Sequence, residues 1–123
     1  STARDLDVTI LGYSPLAEGE LTGNKYTPFQ YPTGATIIYP QFSKGFQLLF
    51  YSIASVLSLL RNIGEKYGRT PAQVALTGWL VAQGNVIPIA GVKNAEQVKQ
   101  NVGAFSWKLT DYGLGKLDEI TCP

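Results

Sequence analysis

Histidine and methionine are both absent from the 123 residues. The first absence removes the commonest general base at neutral pH, and with it the commonest metal ligand. Cysteine occurs once, as the penultimate residue Cys122, so no disulfide framework exists within the chain. That suits a reducing compartment, and no signal-peptide pattern stands at the N-terminus. The chain opens at Ser1 without an initiator methionine, as a processed or partial product would. Charge is scarce too: Asp, Glu, Lys and Arg make up 15%, against roughly 25% in typical soluble domains. Ten basic and nine acidic residues leave a net charge of +1, with no run of one sign. Recognition of nucleic acid or an anionic membrane by a basic patch is therefore not expected. The low charge content points instead to surface covered by a partner, a bound molecule or lipid.

What is present reads as an α/β pattern. Val8 to Tyr13 is a β-branched, apolar run of strand length that stops at Ser14-Pro15. Its near-continuous hydrophobicity suits a strand buried on both faces, as in a parallel sheet. Gly19, Gly23, Pro28, Pro32, Gly34 and Pro40 then punctuate a long irregular stretch from Glu18 to about Gln41, and a loop of that length is usually functional or poorly ordered. From Phe42 to Tyr67 the pattern is helical. Gly45 to Leu60 gives sixteen residues without a charge, short of the ~20 that span a bilayer. Two readings of residues 45–60 stay open: a deeply buried helix, or one that contacts a membrane or a partner.

The next helix begins with a strong start signal. Thr70 is a natural N-cap, Pro71 is tolerated at the first helical position, and Gln73 completes a capping box. This helix is expected to run to about Gly84. Val86 to Ile89 makes a second short strand. Asn94 caps a helix to about Asn101, and Thr110 caps a last one with Leu114, Leu117 and Ile120 on one face. Residues that can hold a ligand follow each strand directly, at the C-terminal edge where α/β sheets bind.

Three segments carry a specific resemblance. They are Tyr13-Ser14-Pro15-Leu16-Ala17-Glu18-Gly19-Glu20-Leu21-Thr22-Gly23, then Lys66-Tyr67-Gly68-Arg69-Thr70-Pro71-Ala72-Gln73-Val74-Ala75-Leu76, then Gly91-Val92-Lys93-Asn94-Ala95-Glu96-Gln97. In this order and spacing the chain resembles the aldo-keto reductases, above all plant- and alga-type members, from about Val8 to Ile120. The resemblance implies an α/β fold: the C-terminal portion, about half or less, of a (β/α)8 TIM barrel, with two parallel strands and flanking helices. Residues 1–123 would form a single partial domain, since a complete barrel needs about 250 residues.

The resemblance also implies a cofactor, NADP(H). In the family the loop after the seventh strand lies along the cofactor's pyrophosphate, which matches Ser14, Pro15, Leu16 and Gly19. The turn after the eighth strand receives the adenosine 2′-phosphate, which implies roles for Gly91 and Lys93. Gln97 and Asn101, one helical turn apart, match the residues that hold the adenine. A cation beside a helix start suits an anion physically, because free N–H groups and the helix dipole point there. Lys93 as a solvated lysine, Gln97 as part of a cap and Ser14-Pro15 as a strand stop are the plainer alternatives.

The family's catalytic tyrosine, lysine, aspartate and histidine all belong to earlier strands, so these residues are not expected to catalyse by themselves. The expected function is the cofactor-binding C-terminal part of an NADP(H)-dependent aldo-keto reductase. The alternative is a reductase-derived, non-catalytic accessory or linker subunit, for instance of a plastid membrane complex. A protein partner covering the open half-barrel is expected under either, in cytoplasm or plastid and not in a secreted protein. Against the family pattern, Asn24 looks inserted before Lys25, Ala90 replaces a common proline, and Gly78 looks inserted between Thr77 and Trp79. One extra helical residue turns the following face by about 100°.

Overall fold

A computed structural model describes residues 2–23, 43–81 and 84–121. The part of the expected irregular stretch beyond Gly23, with the Asn24 insertion and Lys25, lies outside these residues, as does Cys122. A short helix α1 (Thr2–Asp5) leads into strand β1 (Ile10–Tyr13) and a 3-10 helix (Ala17–Thr22). Helix α2 (Ser43–Tyr67) and helix α3 (Pro71–Ala75) follow, and α3 continues as a π-helix over Leu76–Val81. Strand β2 (Val86–Ile89), helix α4 (Ala95–Val102), a 3-10 turn (Gly103–Phe105) and helix α5 (Asp111–Thr121) complete the order.

The two strands pair in parallel, Ile10 with Val86 through Tyr13 with Ile89. β1 begins two residues later than its apolar run. Asn85 explains the start: its carbonyl accepts from Ile10 N at 2.8 Å, while its side-chain amide donates to the Val8 carbonyl at 3.4 Å. Among the described residues the strand pair is exposed where its apolar pattern predicts burial. Leu11 is 62% exposed, Tyr13 85%, Ile87 54% and Ile89 52%. A parallel sheet buries its strands only when further strands flank it and both faces are covered, and the two described strands by themselves provide neither.

The core is built by helices. Leu57, Leu60 and Ile63 of α2 pack with Val74 and Ala75 of α3 and Leu117 of α5. Leu60 and Leu117 are almost fully enclosed, and each contributes about 1.5–3 kcal/mol by leaving water. Of the three residues expected on the inner face of α5, only Leu117 reaches this core; Ile120 is substantially exposed. Among the described residues no helix is long and apolar enough to cross a membrane.

The cap signals at Thr70 and Thr110 form as read. The Thr70 hydroxyl accepts from Gln73 N at 3.2 Å and the Gln73 side chain accepts from Thr70 N at 3.1 Å. At the start of α5 the Thr110 hydroxyl accepts from Gly113 N at 3.2 Å. Gly78, which looks inserted against the family pattern, falls inside the π-helix. A single insertion into an α-helix is absorbed there by widening one turn, which is how π-bulges arise. Gly78 also suits the packing: a Cβ there would stand 2.6 Å from Leu109 Cδ2 and 3.0 Å from Leu117 Cδ1.

Candidate cofactor site

Strand register determines where the chemistry collects. Because Tyr13 and Ile89 are paired, the chain leaves both strands at one edge, and the two following loops face one cleft of about 810 Å³. That volume lies in the range of small-molecule and cofactor sites. Ser14, Pro15, Leu16 and Gly19 line it from the β1 side, and Gly91, Lys93, Gln97 and Asn101 from the β2 side. All eight residues singled out in the sequence thus share one cavity.

The β1 loop is tightly wound. Ser14 and Ala17 have φ of +48° and Gly19 has φ of +96°, so two side-chain-bearing residues occupy the left-handed region, where L-residues are uncommon. Short bonds hold the turn: Ala17 N donates to the Ser14 carbonyl and Gly19 N to the Leu16 carbonyl, both at 2.9 Å. Leu16 packs against the helical core, which anchors the loop from beneath. Thr22 Oγ1 donates to the Gly19 carbonyl at 2.7 Å.

Opposite, the turn after β2 runs into the N-terminus of α4. Asn94 caps it, its side-chain oxygen accepting from Gln97 N at 3.0 Å. Gln97 does not return its side chain to the Asn94 N–H, as a capping box would. Its Oε1 accepts from Lys93 N at 2.7 Å, one residue earlier. The Lys93 amide is thereby occupied, so Lys93 offers an incoming anion its ammonium and not its backbone donor. Lys93 is exposed and takes part in no ion pair among the described residues.

The structure adds residues that the sequence reading passed over. Thr70, Pro71 and Ala72, at the start of α3, form a wall of the cleft, and Gln100 stands beside Asn101. Gln100 had a local signal, since it follows Gln97 by three positions and shares its side of the helix. Thr70 to Ala72 had none, because only tertiary packing brings that helix start to the sheet edge. The residue types fit a phosphate-bearing dinucleotide: hydroxyl and amide donors, an unpaired ammonium, and an exposed glycine turn beside a helix start. Among the described residues no group of three or more His, Cys, Asp or Glu side chains could hold a metal ion.

Two parallel strands with flanking helices, their following loops gathered at one cleft, place the chain in the α/β class. Comparison with known proteins narrows the class: the profile of the Aldo/keto reductase family matches residues 1–121, and the chain belongs to that family. It is 44% identical over 112 residues to an aldo-keto reductase of Strobilurus tenacellus, covering 89% of this chain and 32% of the relative. It is 38% identical to the chloroplastic pyridoxal reductase of Arabidopsis thaliana, covering 90% of this chain and 28% of that protein. Among solved structures, a glycerol dehydrogenase from Gluconobacter oxydans superposes with a TM-score of 0.75 at 27% identity, over 96% of this chain and 35% of that one. The chain thus spans about a third of the length of the curated relatives it matches. Its fold is the corresponding α/β portion of their barrel.

Proposed function

We propose that this chain is the C-terminal, cofactor-binding portion of an NADP(H)-dependent aldo-keto reductase, and that it is not catalytic by itself. The observation that carries this reading is the gathering of all eight candidate residues around one cleft. Lys93 would meet the 2′-phosphate, Ser14 and the Gly19 turn the pyrophosphate, and Gln97 and Asn101 the adenine. When bound, NADPH supplies the hydride that reduces a carbonyl. The proton must come from an acid elsewhere in the barrel. The family's acid works with a histidine, and this sequence has none.

The exposed apolar face of the strand pair, with Leu11, Tyr13, Ile87 and Ile89, requires a cover. In a reductase the remaining barrel strands provide it. In a reductase-derived accessory subunit a separate protein would do so. One comparison tests the proposal: NADPH consumption with a panel of aldehydes and ketones, by the natural polypeptide and by residues 1–123 alone, with the intact mass of the natural polypeptide measured alongside. The reading expects turnover from the former, none from the latter, and a mass at least about twice 13.3 kDa. A natural polypeptide near 13.3 kDa that consumes no NADPH would favour the accessory subunit.

A further inference from the structure

Helix α4 carries Gln97, Gln100 and Asn101 into the cleft, yet none of its residues is buried. Hydrophobic burial in α4 itself therefore does not fix its position. What holds it lies at its C-terminal end, where Ala104 of the following turn is fully buried and a set of polar contacts converges. Gln73 Nε2 donates to the Gln100 carbonyl at 2.9 Å, and Arg69 Nη1 to the Gly103 carbonyl at 3.3 Å. Thr77 Oγ1 donates to the Ala104 carbonyl in a buried, short bond. The three donors stand at positions 69, 73 and 77. Gln73 and Thr77, four residues apart in α3 and its π-helical continuation, lie on one side of it, and Arg69 stands just ahead of the Thr70 cap. They meet the Gln100 carbonyl in the last turn of α4 and the Gly103 and Ala104 carbonyls of the 3-10 turn after it, where the Ser106 hydroxyl also donates to the Gly103 carbonyl at 3.0 Å.

The clamp is held from behind. The Gln73 side-chain oxygen is tied to Thr70 N through the capping box, which aims its amide nitrogen outward. The Arg69 guanidinium lies 6.0 Å from the Trp107 ring centroid, and Trp107 in turn packs on Tyr67 at 5.2 Å. Gly103 allows the approach, since a Cβ there would stand 2.3 Å from Gln73 Nε2.

We infer that Arg69, Gln73 and Thr77 are positioning residues for the adenosine end of the site, holding α4 so that its cleft-facing side chains stay in register with the β1 loop. This rests on the cofactor reading above. None of the three need touch the ligand: they act through the carbonyls of α4 and the turn that follows it. A net hydrogen bond changes an equilibrium by about three- to tenfold, which sets the scale for each variant.

The test uses the natural full-length polypeptide, with NADP+ and 2′,5′-ADP as probes, and hydrogen exchange of residues 95–102 as a readout independent of turnover. Gln73→Leu and Thr77→Val should each weaken both probes by about three- to tenfold. Exchange across α4 should quicken, and kcat at saturating cofactor should stay unchanged. Thr77→Ser, which keeps the hydroxyl, should bind as the wild type does. Ile63→Val, a core change away from the clamp, should lower the melting temperature without moving either affinity. Wild-type binding that Gln73→Leu and Thr77→Val leave intact would overturn the clamp while the cofactor reading stands. So would an equal loss in Ile63→Val, which would reduce the effect to general stability. A wild type that binds neither probe would overturn the cofactor reading, and the clamp's assigned role with it.

Discussion

Tyr13 and Ile89 face each other on the last rung of the parallel strand pair, and their alignment brings two loops distant in sequence to one cleft. A slip of one residue in this register would turn every side chain of one strand to the other face and move Ser14 relative to Gly91. The site is therefore a product of strand pairing as much as of its own residues.

Gly91 separates the needs of the fold from those of a ligand. A Cβ at this position would meet no protein atom within 4 Å, so the fold does not require a glycine. Gly91→Leu should leave the melting temperature within about 2 °C, as surface changes generally do. If the backbone here approaches a phosphate, the same variant should weaken NADPH binding by about tenfold or more, because its side chain would project into that approach. Paired thermal melts and titrations check both halves.

Leu60 tests the helical core. It is 2% exposed and packs within the α2–α3–α5 cluster. Leu60→Ala should cost about 2–5 kcal/mol, the transfer term plus that of the cavity. Denaturant unfolding of the full-length protein measures it. A loss below about 1 kcal/mol would contradict the packing described.

Gln97 has a role distinct from a simple cap. Its Oε1 holds the Lys93 N–H, while its backbone N–H is bound by Asn94. Gln97→Glu keeps the acceptor and Gln97→Ala removes it. Gln97→Ala should therefore lower stability by about 0.5–1.5 kcal/mol and loosen the turn that carries Lys93. Gln97→Glu should preserve the turn, and chemical-shift changes at the Lys93 amide would distinguish the two.

Lys116 is the described group whose titration the structure clearly moves. A hydrogen bond from its ammonium to Glu119, and then the charge of that carboxylate, raise it above 10.5. A raised pKa means that the contribution is complete below the unfolded value and is lost as pH rises through the folded one. The pair is exposed and three residues apart, so it is screened and weak. Lys116→Ala should shift the melting temperature by no more than about 2 °C at neutral pH, with any difference disappearing in strongly alkaline buffer.

Features that rest on local chemistry were legible in the sequence. The Thr70–Gln73 box and the Asn94 cap follow from three-residue spacings, whereas the eight cleft residues came from the family resemblance of the segments after the two strand ends. Features decided by distant packing were not. The exposure of Leu11 and Ile87 depends on which strands lie beside them, and the sequence pattern of a buried strand is the same whether or not its neighbours are in the chain. Gly78 stood out against the family pattern, but only the geometry of the helix reveals the π-turn that contains it. Gln73 read as a cap residue; its second bond to Gln100 requires α4 to lie against α3, which no local pattern encodes.

The most direct test of the cofactor site is a fluorescence titration of NADPH into the full-length protein, wild type and Lys93→Ala, with NADH in parallel. The account predicts saturable NADPH binding, weakened about tenfold or more in Lys93→Ala by loss of a charge-assisted contact worth roughly 1.5–3 kcal/mol. NADH, without the 2′-phosphate, should bind both proteins alike. No saturable NADPH binding, or binding that Lys93→Ala leaves unchanged, would contradict it.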